Sequence, residues 1–254
     1  MRHLLLINPN TSASVSTLLQ QHAQAAAGPQ VRVRTVTARF GAPYIADEAS
    51  YAVAGHAVLD AWAAALAAGP GGAVPPAPSA VLIGCFGDPG LLALRESSPV
   101  PVTGLAEAAF AEAACHGRFA VVTGGARWAP MLQRLAQALD HGALLAGIHT
   151  VAPTGAELAA DPTAARALLG QACRDAARRF GAQAVILGGA GLAGMAAGLQ
   201  PGLGVPLIDS VLAGVRGALR ADAPPAPRGT PGFGVPWDGL SAELAALGLP
   251  RQGA

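Results

Sequence analysis

The chain has 254 residues, a formal net charge of +1 and a hydrophobic fraction of 52%, enough for one large or two small α/β domains with a substantial core. No Lys/Arg cluster is interleaved with aromatics, so the electrostatic footprint of a nucleic-acid surface is missing. Much of the apolar fraction is alanine, so the mean hydropathy of +0.42 reflects helix content; no run of about eighteen apolar residues marks a membrane span.

The opening MRHLLLINPN is too short for a signal-peptide core and turns polar at Asn8. A cytoplasmic protein is expected, with no membrane partner. HLLLIN reads as the first strand, and Asn8 and Asn10 suit bracing of a strand-to-helix turn. The strand VRVRTVTA comes next, then an apolar helix around AVLDAWAAALAAG, interrupted by Asp60 and flanked by His56. His56, like His149 further on, reads as structural or surface. A Pro/Gly segment from Gly69 to Ser79 leads into the strand SAVLIG.

Cys85 stands at the end of that strand, between Gly84 and Gly87. Asp88-Pro89 suits the cap and first turn of a helix GLLALRE, which would place the thiol near a helix N-terminus. Unpaired N–H groups there favour thiolate and lower a cysteine pKa from about 8.5. A small core residue is the alternative, because free cysteine is often buried. The strands VPVTG, FAVVTG, LLAGIHTV, AVILG and VPLID follow, alternating with alanine-rich helices in the pattern of a parallel sheet covered on both faces. Glu107 falls in an early helical turn, where a carboxylate suits the dipole. Gly142 is expected to close the helix ARWAPMLQRLAQALDH. Asp161 and Pro162 mark an N-cap and first turn, and Gly181 the end, of TAARALLGQACRDAARRF. Asp209 suits the start of SVLAGVRGALR.

AVILGGAGLAG contains G-x-G-x-x-G at Gly189, Gly191 and Gly194, with Asp209 about twenty residues on, the spacing of a dinucleotide loop. The helix it would open, MAAGLQ, is short and reaches Pro201 at once. The same stretch is also one member of a long-period repeat. AVLIGCFG lies over AVILGGAG with Cys85 over Gly189, 104 residues apart, and VPVTGLAEAA over VPLIDSVLAG with Val100 over Val205, 105 apart. LLLINPN can be laid over AVVTGGA with Leu6 over Val122, 116 apart. Similar offsets in the same order imply two α/β halves whose strand ends face one crevice. The other cysteines, Cys115 and Cys173, form no CxxC with Cys85, and none has a histidine at ligand spacing. Neither a disulfide framework nor a metal site is expected. Cys173 reads as packed beside Leu169 and Ala176, and Cys115 as a local residue at a helix end.

On INPNTS (Ile7–Ser12), CFGDPGL with LRE, PVTGLAEAAF, RFAVVT, VILGGAG and GVPLIDSV, the chain resembles the aspartate/glutamate/hydantoin racemase superfamily, in its hydantoin racemase-like branch. The resemblance runs from about residue 2 to 220. It implies two pseudo-symmetric Rossmann-like α/β domains with parallel sheets and an inter-domain active-site crevice. It implies a cofactor-independent enzyme that moves a proton at the carbon next to a carbonyl of a hydantoin or amino-acid derivative, with a thiol on each side. Carried over by position, Cys85 is one acid/base. Asn10, Thr11 and Ser12, Thr123 with Gly124, and Phe86, Gly87, Gly189, Ala190 and Gly191 around the two glycine turns would line the substrate and hold an enolate oxygen. Where the family's second motif reads Leu-Gly-Cys-Ala-Gly-Met, this chain has LGGAGL, with Gly189 at the cysteine position. That departure admits a one-thiol lyase, as in the superfamily's arylmalonate decarboxylase branch, or a binding homologue without turnover. The expected division is 1–100 plus about 205–220 as one half, 101–204 as the other, and 221–254 as a flexible Pro/Gly-rich tail with a short helix in LSAELAALG. A small-molecule substrate and a homo-oligomer are expected as partners, and no cofactor.

Overall fold

The computed structural model describes residues 1–67, 75–152, 157, 161–221 and 233–248. All eight expected strands form: β1 (Arg2–Asn8), β2 (Val31–Thr37), β3 (Ala80–Ile83), β4 (Val102–Gly104), β5 (Phe119–Gly124), β6 (Leu145–Val151), β7 (Ala184–Gly188) and β8 (Leu207–Asp209). The helices are α1 (Ala13–Ala27), α2 (Glu48–Leu66), α3 (Leu91–Ser97), α4 (Leu105–Ala114), α5 (Trp128–Ala138), α6 (Pro162–Phe180), α7 (Ala196–Leu199), α8 (Ser210–Arg220) and α9 (Ala242–Ala245). The strands make two parallel sheets of identical plan, β2-β1-β3-β4 and β6-β5-β7-β8. Parallel strands are covered on both faces, which is why they read as continuous apolar runs.

Alternating residues of each central strand feed different cores. Leu4, Leu6, Ala80 and Leu82 from the first sheet, and Phe119, Val121, Ala184 and Ile186 from the second, join one buried cluster with Phe110 of α4 and Val211 of α8. On the outer faces, Leu5, Ile7, Val81 and Ile83 pack with Trp62 of α2, and Val122, Val185 and Leu187 with Leu169 and Cys173 of α6. This alternation corrects one repeat offset. Leu6 faces the shared core but Val122 faces outward, so Leu6 matches Val121. A one-residue slip exchanges the faces of a strand. The other two offsets hold: Ile83 pairs with Gly104 as Leu187 pairs with Asp209.

The expected division of the chain also moves. Residues 102–104 hydrogen-bond in the first sheet and 207–209 in the second, so each boundary falls at a strand end. After the second sheet, α8 returns to the first, packing on β3, β4, α1 and α4. The described part of the expected tail is docked on the first half. Phe233 stacks on Trp62 at 6.5 Å, Leu244 is buried, and Glu243 meets Arg39 at 2.8 Å while Arg39 also holds buried Asp60 at 2.7 Å. The short terminal helix is there as α9. Residues 69–74 of the Pro/Gly segment, and 222–232 and 249–254 of the tail, lie outside the described residues.

Helix ends follow local rules in most places. The Asp161 side chain accepts from the Ala164 N–H at 3.1 Å, proline occupies the first turn of α6, and Gly181 takes φ 56 at its end. Helix α5 stops earlier than expected, at Ala138, because Asp140, not Gly142, takes the left-handed conformation with φ 61. Among the described residues no helix is long and apolar enough to cross a membrane.

Candidate active site

A cavity of about 50 Å³ opens between the carboxyl ends of the two sheets. The first half contributes Asn10, Tyr44, Cys85 and Phe86; the second contributes Thr123, Gly124, Trp128 and the turn Gly188–Leu192. The phenyl ring of Phe86 lies where a Cβ on Gly188 would stand, so only glycine lets the two walls approach. Gly87 is pressed against the Trp128 indole in the same way, and its carbonyl accepts from the Tyr51 hydroxyl at 2.8 Å.

The residues lining this space carry several hydrogen-bond donors. Asn10 Oδ1 accepts from Asn8 Nδ2 at 3.0 Å and from the Ser12 N–H at 2.9 Å, which leaves its own Nδ2 for a ligand. The Thr123 hydroxyl has no protein partner among the described residues, and neither do the N–H groups of Phe86, Ala190 and Gly191. Ala190 and Gly191 begin a single 3-10 turn, where N–H groups have no acceptor within the helix. Unpaired N–H groups on residues of both walls suit an oxygen that gains negative charge.

The family model for Asp/Glu/Hydantoin racemase matches residues 4–218. The chain belongs to this family. A hydantoin racemase from Rhizobium meliloti is 34% identical over 223 residues, covering 84% of this chain and 86% of that protein. One from Paenarthrobacter aurescens is 31% identical over 214 residues, covering 84% and 88%. The solved allantoin racemase from Klebsiella pneumoniae superimposes with a TM-score of 0.80 at 29% identity, covering 100% of this chain and 96% of that one. The racemase-family fold of two parallel-sheet α/β units is therefore the one described above, and the chain is an enzyme of that family.

Within this racemase-family crevice, the electrostatics of Cys85 differ from the sequence expectation. Asp88 does not cap α3, whose N-cap is Gly90 without a side-chain bond. Its buried carboxyl reaches across to α4 and accepts from the N–H groups of Ala106 at 2.9 Å and Glu107 at 2.8 Å. Gly104 makes this possible, because a Cβ there would fall on the carboxyl group. The thiol consequently has a carboxyl nearby and an apolar surround. Burial first, and Asp88 second, push the Cys85 thiol well above the ordinary range. The resting sulfur is protonated, the reverse of a helix-end thiolate. Burial pushes Asp88 itself up to about 7, with its two N–H donors opposing the rise. Tyr51, behind the same loop, is pushed up to about 12 by burial and then by Asp88 and Cys85.

Most expected site residues line the cavity: Asn10, Cys85, Phe86, Thr123, Gly124, Gly189, Ala190 and Gly191. Thr11, Ser12 and Gly87 do not. Ser12 is the N-cap of α1, accepting from Val15 N–H; the Thr11 N–H donates to Ala42 O at 3.1 Å; Gly87 seats Trp128 and Tyr51. Asn8 braces the turn as expected, donating to Asn10, Ser12 and Ser16. Of the dinucleotide motif, Gly189 and Gly191 line the cavity while Gly194 serves packing. Gly194 N–H donates to Asp209 Oδ2 at 2.8 Å, and Asp209 Oδ1 accepts from Val211 and Leu212 at the start of α8. Glu107 pairs with Arg95 at 2.6 Å, and Cys173 is buried in the α6 packing face. Tyr44 and Ile45, in the segment before α2, and Trp128, the first residue of α5, also line the cavity without any sequence signal beyond their position near helix starts.

Proposed function

We propose that this chain is a cofactor-independent racemase acting on the carbon next to a carbonyl of a hydantoin or a related cyclic ureide, with Cys85 as an acid/base. The observation that carries this reading is the placement of one thiol in a cavity whose lining also carries several unpaired hydrogen-bond donors. A ring carbonyl held by the N–H groups of Phe86, Ala190 and Gly191 and by Asn10 or Thr123 becomes an enolate when the neighbouring carbon loses its proton. Sulfur takes that proton or returns it from one face. Because the thiol is held protonated at rest, the form able to accept a proton grows with pH, and racemisation rises toward alkaline pH.

The experiment is to incubate single enantiomers of 5-substituted hydantoins and of allantoin with the protein and follow optical purity by chiral chromatography. Racemisation that falls about 10²- to 10⁴-fold in Cys85→Ser is the expected result; an unchanged rate in that variant contradicts the assignment. A second reading is favoured by Gly189, which leaves no sulfur on the opposite wall: one-sided protonation of a carbanion after decarboxylation of a small carboxylate. Carbon dioxide release from an arylmalonate, without racemisation of any hydantoin, is the result that selects it.

A further inference from the structure

Proton transfer requires the stereocentre to lie within reach of the Cys85 sulfur, so the substituent on that same carbon falls inside the cavity as well. The cavity holds about 50 Å³, whereas most small-molecule pockets hold about 300–1,000 Å³. Size is therefore where this site can discriminate most. The apolar side chains that bound it are Val15, Ile45 and Phe86 from the first half and Trp128 and Leu192 from the second. Trp128 is the largest of them, and it is buried. At the start of α5 its backbone N–H donates to the Gly125 carbonyl at 3.2 Å. From there the indole crosses the crevice. A Cβ on Gly125 would lie 3.3 Å from Cδ1, and a Cβ on Gly87 would lie 2.5 and 2.8 Å from Cζ3 and Cη2 at the other end of the ring. Gly87 is two residues after Cys85, so the ring of the second half ends against the turn that carries the acid/base of the first. Phe86 is committed elsewhere, with its ring over Gly188 and against Phe110 at 6.0 Å.

We infer that Trp128 is a specificity-determining residue of this racemase: its indole occupies space beside the Cys85 turn and limits the substituent at the stereocentre to a small one, of about the size of a methyl group. This inference rests on the racemase reading above. A benzyl group would have to displace a ring that is wedged against the Gly87 backbone, and forcing extra volume into a well-packed wall is destabilising. Such a wall discriminates by rejecting the larger substrate, with no added attraction for the smaller one. A shorter side chain at position 128 widens the site at that end. It leaves Cys85 and the N–H donors of Phe86, Ala190 and Gly191 in place.

The test compares kcat/KM for racemisation of 5-methylhydantoin and of 5-benzylhydantoin by the native protein, Trp128→Leu and Trp128→Phe. The native protein is expected to favour the methyl compound at least about 10-fold. Trp128→Leu is expected to lower that preference at least about 10-fold, with Trp128→Phe between the two. The preference is the readout, because damage to the fold lowers both rates together. A native protein that does not favour the methyl compound overturns the inference. So does a preference that Trp128→Leu leaves unchanged while both rates fall by one factor, the signature of a merely structural role. If Trp128→Leu does not fold, Trp128→Phe decides, and an unchanged preference there overturns the inference as well. Racemisation of allantoin but of neither of these hydantoins overturns it too, and leaves the racemase reading standing. A native protein that racemises none of the three overturns the racemase reading itself, and this inference with it.

Discussion

The two halves of the molecule solve one problem with the same chemistry delivered from different places. In each, the helix after the last sheet strand starts under a buried carboxyl group. In the first half it comes from Asp88 in the loop after β3, which accepts from Ala106 and Glu107 past Gly104. In the second it comes from Asp209 at the end of β8, which accepts from Val211, Leu212 and Gly194. Ala106 and Glu107 match Val211 and Leu212 at the same 105-residue spacing that puts Gly104 over Asp209. Asp209 stands over Gly104, whereas Asp88 stands over Leu192 at the 104-residue spacing of the Cys85 and Gly189 turns, so the source of the carboxyl is exchanged from one loop to another between the halves. The fold requires an acceptor at these helix starts but leaves open which loop supplies it. The choice shapes the crevice: one wall has a carboxyl beside its sulfur, and the other, rich in glycine, has no titratable side chain among the described residues that line it.

Breaking the exchange should be costly in the first half. Gly104→Ala puts a methyl group where the Asp88 carboxyl sits, displacing a buried acceptor of two N–H groups. A loss of about 3 kcal/mol is expected from overpacking and the lost cap together, read as a fall in the chemical-denaturation midpoint. Gly198→Ala, in α7 with nothing within 4 Å of the added methyl, is the control and should be neutral or stabilise by about 0.5–1 kcal/mol.

Restoring a side chain to the glycine wall is a smaller perturbation. A Cβ on Gly189 meets only Leu192, at ordinary contact distances of 3.4 and 3.5 Å, but the backbone stands at φ 144. Gly189→Ala should therefore cost about 1–3 kcal/mol through backbone strain alone, and Gly189→Cys about the same. The straightforward expectation that a cysteine there recreates a two-thiol site is thus tempered by the local backbone. Equal melting temperatures for the native protein and Gly189→Ala would show that the turn relaxes freely.

The smallest effect sharpens the electrostatic side of the comparison. Alkylation of Cys85 by iodoacetamide, mapped by mass spectrometry across pH, should reach half its maximal rate above the ordinary thiol value of about 8.5. Asp88→Asn removes the negative charge beside the thiolate, so the midpoint should move down, by less than the share due to burial. Half-maximal alkylation below pH 8 in the native protein would contradict the arrangement.

Much of this was legible in the chain because the fold is parallel and doubled. Strands buried on both faces appear as apolar runs, and the Cys85 and Gly189 turns could be matched by spacing alone. What failed did so for tertiary reasons. Asp88 looks like the cap of the helix that follows it, but its acceptor geometry is satisfied by N–H groups eighteen and nineteen residues away. Leu6 and Val122 match equally well by residue type, and only the packing of the two sheet faces shows the one-residue slip. The family resemblance puts Ser12 with Asn10 in the site, whereas its hydroxyl is used at the start of α1. Tyr44 was invisible because nothing in the sequence says that a loop before α2 reaches across to β5.

Solvent deuterium incorporation at the stereocentre of a 5-substituted hydantoin, compared among the native protein, Cys85→Ser and Cys173→Ser, tests the central role of the crevice thiol most directly. Full incorporation in the native protein and in Cys173→Ser, with loss of label from the enantiomer facing Cys85 in Cys85→Ser, is the predicted result. Undiminished labelling of both enantiomers in a folded Cys85→Ser protein would contradict it.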